Sequence, residues 1–330
     1  MTRAQTVQKL LPKFAPPERE RGEAWAPSNI ALCKYWGKRN DELNLPINSS
    51  LSVSLGHLGT GTVVSRAEKT DAVILNGERL TGDAQFAKRL TAYLDLFRPS
   101  PDFFFQVQTE NNFPTAAGLA SSASGYAALT LALDDFFGWR LERQKLSILA
   151  RLGSGSAARS VYTGFVEWRR GEREDGLDSV AEPLPEKWPE LRLAVATVST
   201  GAKPVGSTEG MKRTVETSAL YKSWPEKAAR DLELIRRAIQ ARDFPLLGET
   251  AESNALAMHA TMIDTRPSVL YWLPETIEAF RTVWTLRQAG VAAYFTIDAG
   301  PNVKILFLEH ELPAIQAAFP QAELIIPFSN

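Results

Sequence analysis

The sequence predicts an α+β fold, and three observations carry that prediction. Short apolar runs bounded by turn residues read as strands, longer runs with one apolar face read as helices, and the two do not alternate in a regular β-α-β order. The chain has 330 residues, which is long for one core and points to two domains. Its composition, 44% hydrophobic and 23% charged, is that of an ordinary globular protein.

Charge and cysteine usage narrow the function classes. Thirty-seven basic residues face 38 acidic ones, a formal charge of -1, so nothing argues for a nucleic-acid or membrane partner. The single cysteine, Cys33, excludes an internal disulfide and a cysteine-rich zinc site. It reads as a small packed side chain in a reducing compartment. No secretory or membrane-spanning apolar run appears, so a cytoplasmic protein is expected. His57, His259 and His310 are scattered, without the spacing of a triad or of metal ligands.

Taken in order, residues 1–23 carry five basic and three acidic side chains around Pro16-Pro17 without sustained periodicity. They read as an irregular N-terminal arm, followed by a first domain over 24–196 and a second over 197–330. Residues 52–55, 62–65 and 72–75 read as short strands, with Asn76-Gly77 as a hairpin turn. Phe86, Leu90, Tyr93, Leu94 and Phe97 share one helical face. Residues 102–108 form a strand that feeds a small-residue loop over 112–125. Ser121 and Ser122 open an apolar run through Phe137, which reads as a helix. A second helix is expected over 142–151, a strand over 164–168, a polar turn over 171–176 and a border strand over 191–198. Ala228, Leu232, Ile235 and Ile239 mark one further helix, and Ile277, Phe280 and Trp284 another. Residues 291–297 and 303–308 read as two strands joined by D-A-G-P-N from Asp298.

Four stretches have residue types suited to chemistry. The loop over 112–125 ends on a helix N-terminus, where unpaired N–H groups and the helix dipole favour an anion. It has neither a Walker lysine nor G-x-G-x-x-G spacing, so it reads as a backbone phosphate cradle or as a packing loop. Lys34, Lys38 and Arg39 put three cations within six residues beside Tyr35, a phosphate site or a solvated turn. Trp36 and Cys33 argue against free solvation. Ser154, Ser156 and Arg159 in G-S-G-S-A-A-R-S either combine close backbone approach, neutral donors and a bidentate cation, or form a glycine-serine loop with an incidental arginine. Asp298, ending an apolar strand, is either a turn-capping aspartate or a site residue.

Together these segments resemble the GHMP superfamily of small-molecule kinases and, within it, the diphosphomevalonate decarboxylases. P-T-A-A-G-L-A-S-S-A from Pro114 is similar to the superfamily phosphate loop. A-P-S-N-I-A-L-C-K-Y-W-G-K-R from Ala26, N-L-P-I-N-S-S-L-S-V-S-L from Asn44, G-S-G-S-A-A-R-S from Gly153, G-M-K-R-T-V-E-T-S from Gly210 and D-A-G-P-N resemble the decarboxylase branch. The likeness runs from about Trp25 to Leu308 and leaves out the N-terminal arm. It implies a ribosomal protein S5 domain 2-like N-terminal part and a ferredoxin-like C-terminal part around a deep cleft. It also implies ATP-dependent decarboxylation of 5-diphosphomevalonate to isopentenyl diphosphate, with ATP and Mg²⁺, in a homodimer.

The resemblance places Asp298, Lys34 and Arg159 at the reacting centre. Tyr35, Lys38, Ser154, Ser156 and Ser207 would hold the substrate. Pro114, Ala117, Gly118, Leu119, Ser121 and Ser122 would hold the nucleotide, and Ser122 also the metal. A decarboxylase of the monophosphate, a relative that stops at C3 phosphorylation, and a non-catalytic sensor of the same fold are the alternative expectations. One departure concerns the phosphates: where family members carry a serine pair before Thr208, this chain has Gly206-Ser207.

Overall fold

The computed structural model describes residues 1–11, 15–82, 84–113, 121–201 and 203–328. The first half of the chain runs α1 (Arg3–Leu10), β1 (Arg21–Cys33), β2 (Lys38–Asn40), β3 (Leu45–Pro46), β4 (Ser50–Ala67), β5 (Ala72–Leu75), β6 (Glu78–Arg79), α2 (Gln85–Leu94) and β7 (Phe104–Asn111). It continues with α3 (Ser121–Phe137), α4 (Arg143–Gly153), α5 (Ala157–Ser160), β8 (Phe165–Trp168) and β9 (Ala181–Pro183). The remainder is β10 (Leu191–Ala196), α6 (Ser207–Thr217), α7 (Trp224–Ala241), α8 (Phe244–Ile263), α9 (Pro274–Gln288), β11 (Ala293–Ile297), β12 (Val303–Leu308), α10 (Leu312–Ala318) and β13 (Glu323–Ile325).

Two sheets organise these elements, and the α+β expectation holds. The larger sheet has the order β6-β5-β7-β4-β8-β9, with β1 paired to β4, and the smaller has the order β11-β12-β10-β13. All pairings are antiparallel except β5 with β7. Strand β4 is one long element rather than the two short strands the pattern suggests. Around Gly56 its register with β1 shifts, from Pro27↔Gly59 to Asn29↔Ser54, but the strand runs on through this irregularity. The Asn76-Gly77 turn forms as expected, both residues taking positive φ between β5 and β6.

Three expectations need correction. The N-terminal arm is not irregular throughout: Thr2 and Gln5 form a capping box that starts α1, and Thr6 and Val7 are buried. Val7 joins the core cluster between α2, α3 and the larger sheet. The second correction concerns the border strand. β10 pairs with β12 and β13, so the smaller sheet begins before residue 197 rather than after it. Third, the 20-residue α8 had no counterpart in the periodicity reading. It is buried on several sides, so no polar stripe marks its face.

Packing joins the two halves through one large core. That cluster takes Ile30, Leu32 and Val53 from the larger sheet, Leu193 and Leu306 from the smaller one, and Leu247 and Met258 from α8. Burial of this kind stabilises by about 25 cal/mol per Å² of apolar surface, and it fixes the ends of β1 and β11 against each other. Those two strand ends carry Lys34 and Asp298.

Candidate active site

Lys34 follows the last residue of β1, and Asp298 follows the last residue of β11. The Lys34 ammonium donates to Asp298 Oδ1 at 2.7 Å and to the Ala31 carbonyl at 2.7 Å. Lys34 is 1% exposed, whereas the Asp298 side chain keeps a quarter of its surface open. Burial lowers the pKa of the lysine, and the aspartate opposes that shift. Burial works to raise the Asp298 carboxyl, but Lys34, Lys304 and Lys203 outweigh it and hold the carboxyl at about 2. Among the described residues the Asp298 carboxylate thus pairs with a buried lysine, and no hydrogen bond to it from its own turn is seen. Asn302, at the end of the same turn, ties it to the segment after β10, its Oδ1 accepting from the backbone N–H of Val198 and Ser199.

Arg159 lies on the short α5 and is almost wholly buried. Its Nε donates to Ser52 at 3.1 Å and Asn29 at 3.3 Å, Nη1 to Ser50, and Nη2 to Asn29 at 3.3 Å. Every one of these partners is neutral. They occupy three of the five N–H groups a guanidinium has and leave one on each terminal nitrogen. Burial pulls the group down to about 10, with Asp298 raising it, so it stays charged at neutral pH. A buried, charged guanidinium with two spare donors and no carboxylate partner among the described residues is suited to an anionic ligand.

These residues open on one cavity of about 540 Å³. Lys34, Tyr35, Lys38, Ser121, Ser122, Ser154, Ser156, Arg159, Ser207 and Asp298 all line it. Sequence positions more than 260 residues apart thus meet in one place. Pro114, Ala117, Gly118 and Leu119 lie outside the described residues. The Tyr35 hydroxyl and the Trp36 indole N–H are buried without a hydrogen-bond partner among the described residues, and both side chains line the cavity. Such orphaned groups suit a polar ligand.

Local sequence explains how the motif reaches the cavity. Gly37 takes φ +103°, and a Cβ there would lie 1.7 Å from the Tyr221 hydroxyl. That hydroxyl and the Trp224 indole N–H both donate to the Trp36 carbonyl at 3.0 Å, which fixes the turn between Lys34 and Lys38. Gly155 has a similar role, since a Cβ there would meet the Tyr35 ring at 2.7 Å. The hydroxyls of Ser122, Ser154 and Ser156 form a row, 3.5 Å and then 3.4 Å apart. The row runs from the α3 N-terminus to the glycine-serine segment.

A second cavity of about 290 Å³ adjoins the first and shares Ser121, Ser122, Tyr126 and Arg89 with it. Leu75, Phe86, Leu90, Val107 and Leu129 make it mainly apolar, with Thr60, Thr109 and Asn111 as polar points. Its volume and apolar lining suit a small ring system, and Ser121 and Ser122 at the start of α3 form part of its wall. No group of three or more His, Cys, Asp or Glu suited to a metal occurs among the described residues.

Sequence reasoning missed several residues of the site. Lys203 lines the cavity, and Lys304 is 2% exposed behind Asp298, with burial pulling it down to about 8. Neither sits in a stretch with a local signal. Asn29, which orients Arg159, lies within the A-P-S-N motif and was legible there as a short polar side chain inside an apolar run. His259 was dismissed as a scattered histidine, yet its Nε2 lies 3.0 Å from the Asp298 carbonyl.

The α+β frame and a cation-rich cavity at a helix N-terminus define a class of enzyme that acts on small phosphorylated molecules. Within that class the chain belongs to the diphosphomevalonate decarboxylase family. Residues 26–181 match the diphosphomevalonate decarboxylase-like N-terminal domain, and residues 193–324 match the mevalonate 5-diphosphate decarboxylase C-terminal domain. The diphosphomevalonate decarboxylase of Homo sapiens is 42% identical over 316 residues, 89% of this chain and 78% of that one. The Aspergillus fumigatus enzyme is 41% identical, over 88% of this chain and 78% of its own. Among solved structures, mevalonate diphosphate decarboxylase from Staphylococcus aureus superposes with a TM-score of 0.88 at 37% identity, covering 94% of this chain and 96% of that one. A complex of the protein called MDDEF with MVAPP, AMPPCP and magnesium has a TM-score of 0.87 at 42% identity, covering 93% and 96%.

Proposed function

We propose that this protein catalyses the ATP-dependent decarboxylation of 5-diphosphomevalonate to isopentenyl diphosphate, releasing ADP, phosphate and CO₂. One observation carries this reading: the Lys34–Asp298 pair and the carboxylate-ready Arg159 share one cavity with the α3 N-terminus. A buried guanidinium with two spare donors can fix the substrate carboxylate's orientation, which cleavage of the C1–C2 bond requires and phosphorylation alone does not. Mevalonate diphosphate and ATP are also named for the Enterococcus faecalis relative, which is 40% identical.

The residues divide the work by position. Arg159 takes the C1 carboxylate on its two spare N–H groups and aligns the C1–C2 bond with the leaving group. Asp298 accepts a hydrogen bond from the C3 hydroxyl. With its carboxyl at about 2 it is a weak base, so it orients that hydroxyl first and takes the proton only as phosphoryl transfer proceeds. Lys34 keeps the carboxylate ionised. Once the C3–O bond breaks with its electrons going to phosphate, Asp298 returns its proton to the departing phosphate and, again a carboxylate, offsets the positive charge at C3. The C1–C2 bond pair then forms the double bond, and CO₂ departs. Tyr35, Lys38, Ser154, Ser156 and Ser207 hold the diphosphate, Tyr35 through its orphaned hydroxyl.

The apolar cavity takes the adenine ring, and Ser121 and Ser122 face the nucleotide phosphates. The described residues offer a metal few carboxylates, so Mg²⁺ fits here as an ion held mainly by phosphate oxygens with Ser122 as its protein contact. Bound there, it would neutralise the charge that builds between donor and acceptor oxygens. Pro114, Ala117, Gly118 and Leu119 belong by sequence to the same nucleotide loop. The division into an N-terminal and a C-terminal domain, with β10 opening the second, belongs to the same reading. So do a cytoplasmic location, a homodimer, and the lack of a nucleic-acid or membrane partner. No helix among the described residues is long and apolar enough to cross a membrane.

Purified protein given ATP with each mevalonate phosphate, with CO₂ and ADP followed separately, tests the proposal. Equal CO₂ and ADP from the diphosphate are expected. ADP without CO₂ would turn the reading toward a kinase, and preference for the monophosphate would trace to the single Ser207 hydroxyl.

A further inference from the structure

We infer that α8 is the positioning element for the Lys34–Asp298 pair, holding the lysine through Asn254 and the aspartate through His259. The inference rests on the reading of that pair as the reacting centre. The two residues end strands of different sheets, so neither sheet's hydrogen-bond ladder sets their separation. Among the described residues a side-chain link between the two strands exists at Thr296, whose hydroxyl donates to the Ala31 carbonyl at a long 3.4 Å. Helix α8 packs against both β1 and β11, and it bonds the residue immediately after each.

The Lys34 backbone N–H donates to Asn254 Oδ1 at 2.8 Å. The orientation of that amide is determined, because Asn254 Nδ2 donates to Asp231 Oδ2 at 2.8 Å and an ionised carboxylate only accepts. Asp231 is held in turn by Lys227 at 2.8 Å. On the other side, His259 Nε2 must carry its proton, since the Asp298 carbonyl 3.0 Å away accepts and cannot donate. The ring is packed against Trp272 and Tyr271, centroids 5.1 Å and 6.3 Å away.

Asn254 and His259 are 0% and 1% exposed, and neither lines the cavity. Between them Met258 does line it. The helix therefore presents an apolar side chain to the ligand and anchors the charged pair on either flank. Five residues of helix separate the anchors by about 7.5 Å along the axis, a spacing that a covalent rod keeps constant while loops move.

Four variants of the full chain test this. Asn254→Asp sets a carboxylate against Asp231, and adding Asp231→Asn restores a hydrogen bond between the two positions in the reverse direction, with residue 254 still accepting from the Lys34 N–H. His259→Leu removes the donor to Asp298, and His259→Gln returns one. Each disrupting variant is expected to lower kcat about a hundredfold, the cost of a misplacement near 1 Å. KM for both substrates should stay within about twofold, because ground-state binding is untouched. The exchange variant and His259→Gln should recover most of the lost kcat. A folded His259→Leu with wild-type kcat would overturn the inference. So would an exchange variant that regains thermal stability without regaining kcat, and this comparison decides if His259→Leu does not fold. Asp298→Asn is assayed alongside: full activity there defeats the reading of the pair itself, whereas an inactive Asp298→Asn beside active α8 variants defeats the role of α8 alone.

Discussion

Lys34 and Lys38 stand four residues apart in one motif and line the same cavity, but they are held in different ways. Lys34 is fixed through its ammonium by Asp298 and Ala31, and through its backbone by Asn254 and Asn48. Lys38 sits on the short β2–β3 hairpin, its side chain only 10% exposed, and faces at 3.7 Å an Asp41 that is three-quarters exposed. One charge is locked by short hydrogen bonds at the floor of the cavity, and the other, toward its rim, has one longer contact to a solvated partner. A floor charge acts through exact distance in a dry site, where electrostatic interactions are strong. A rim charge acts through attraction that water and salt weaken. Changes at the floor should therefore cost turnover, and changes at the rim should cost affinity.

Arg159→Lys should show the largest effect, because it alters the floor without changing its net charge. Lysine keeps the positive charge but loses the planar pair of donors and the bonds to Asn29, Ser50 and Ser52. We expect kcat to fall by about two orders of magnitude, the scale of lost orientation, with ADP formation and CO₂ release falling together. A variant that made ADP at the normal rate without CO₂ would separate the role of Arg159 in cleavage from any role in phosphoryl transfer. Near-wild-type kcat would remove Arg159 from the floor set altogether.

Lys304 sharpens the comparison through pH. Burial pulls its ammonium down from the usual 10.5 to about 8, Asp298 opposing the shift and the neighbouring Lys34 and Lys203 adding to it. As pH rises through about 8, the floor loses one positive charge beside Asp298, leaving Lys34 and Lys203. We expect kcat/KM to decline along an alkaline limb near that value. Lys304→Met should flatten the limb, since methionine carries no charge at any pH. The stability sign runs the other way. Between about 8 and 10.5 the unfolded chain holds the extra proton, so this residue makes stability rise with pH across that window. An alkaline limb that persists in Lys304→Met would assign it to another group.

The floor was not evenly legible in the sequence. Lys34, Arg159 and Asp298 each sit in a dense motif where a charge interrupts apolar or glycine-rich text, and such local contrast is readable. Lys203, Lys304, Asn254 and His259 reach the site only through tertiary packing. Their neighbours in sequence give no sign of it, and α8 is too evenly buried to show a face. The N-terminal helix is a different case. Its capping box, Thr2 with Gln5, was in plain text and was outweighed by the prolines that follow.

That helix bears on the rim, and it supplies the smallest effect. The Arg3 guanidinium donates to the Glu42 carbonyl at 2.7 Å, and the Arg3 backbone N–H donates to the Glu42 carboxylate at 3.2 Å. Glu42 lies in the turn between β2 and β3, the hairpin that carries Lys38. Lys9 adds a looser link to Asp175 at 3.6 Å. The helix thus ties down the element that holds the rim charge and touches nothing at the floor. Arg3→Ala should raise KM for the diphosphate substrate by about threefold, the worth of one partly exposed charge-assisted bond. It should leave kcat unchanged. Added salt should raise KM in the wild type and in the variant alike, because screening acts on Lys38 in both. A fall in kcat instead would mean that the hairpin and the floor move together, and the division between fixed and adjustable charge would fail at its weakest joint.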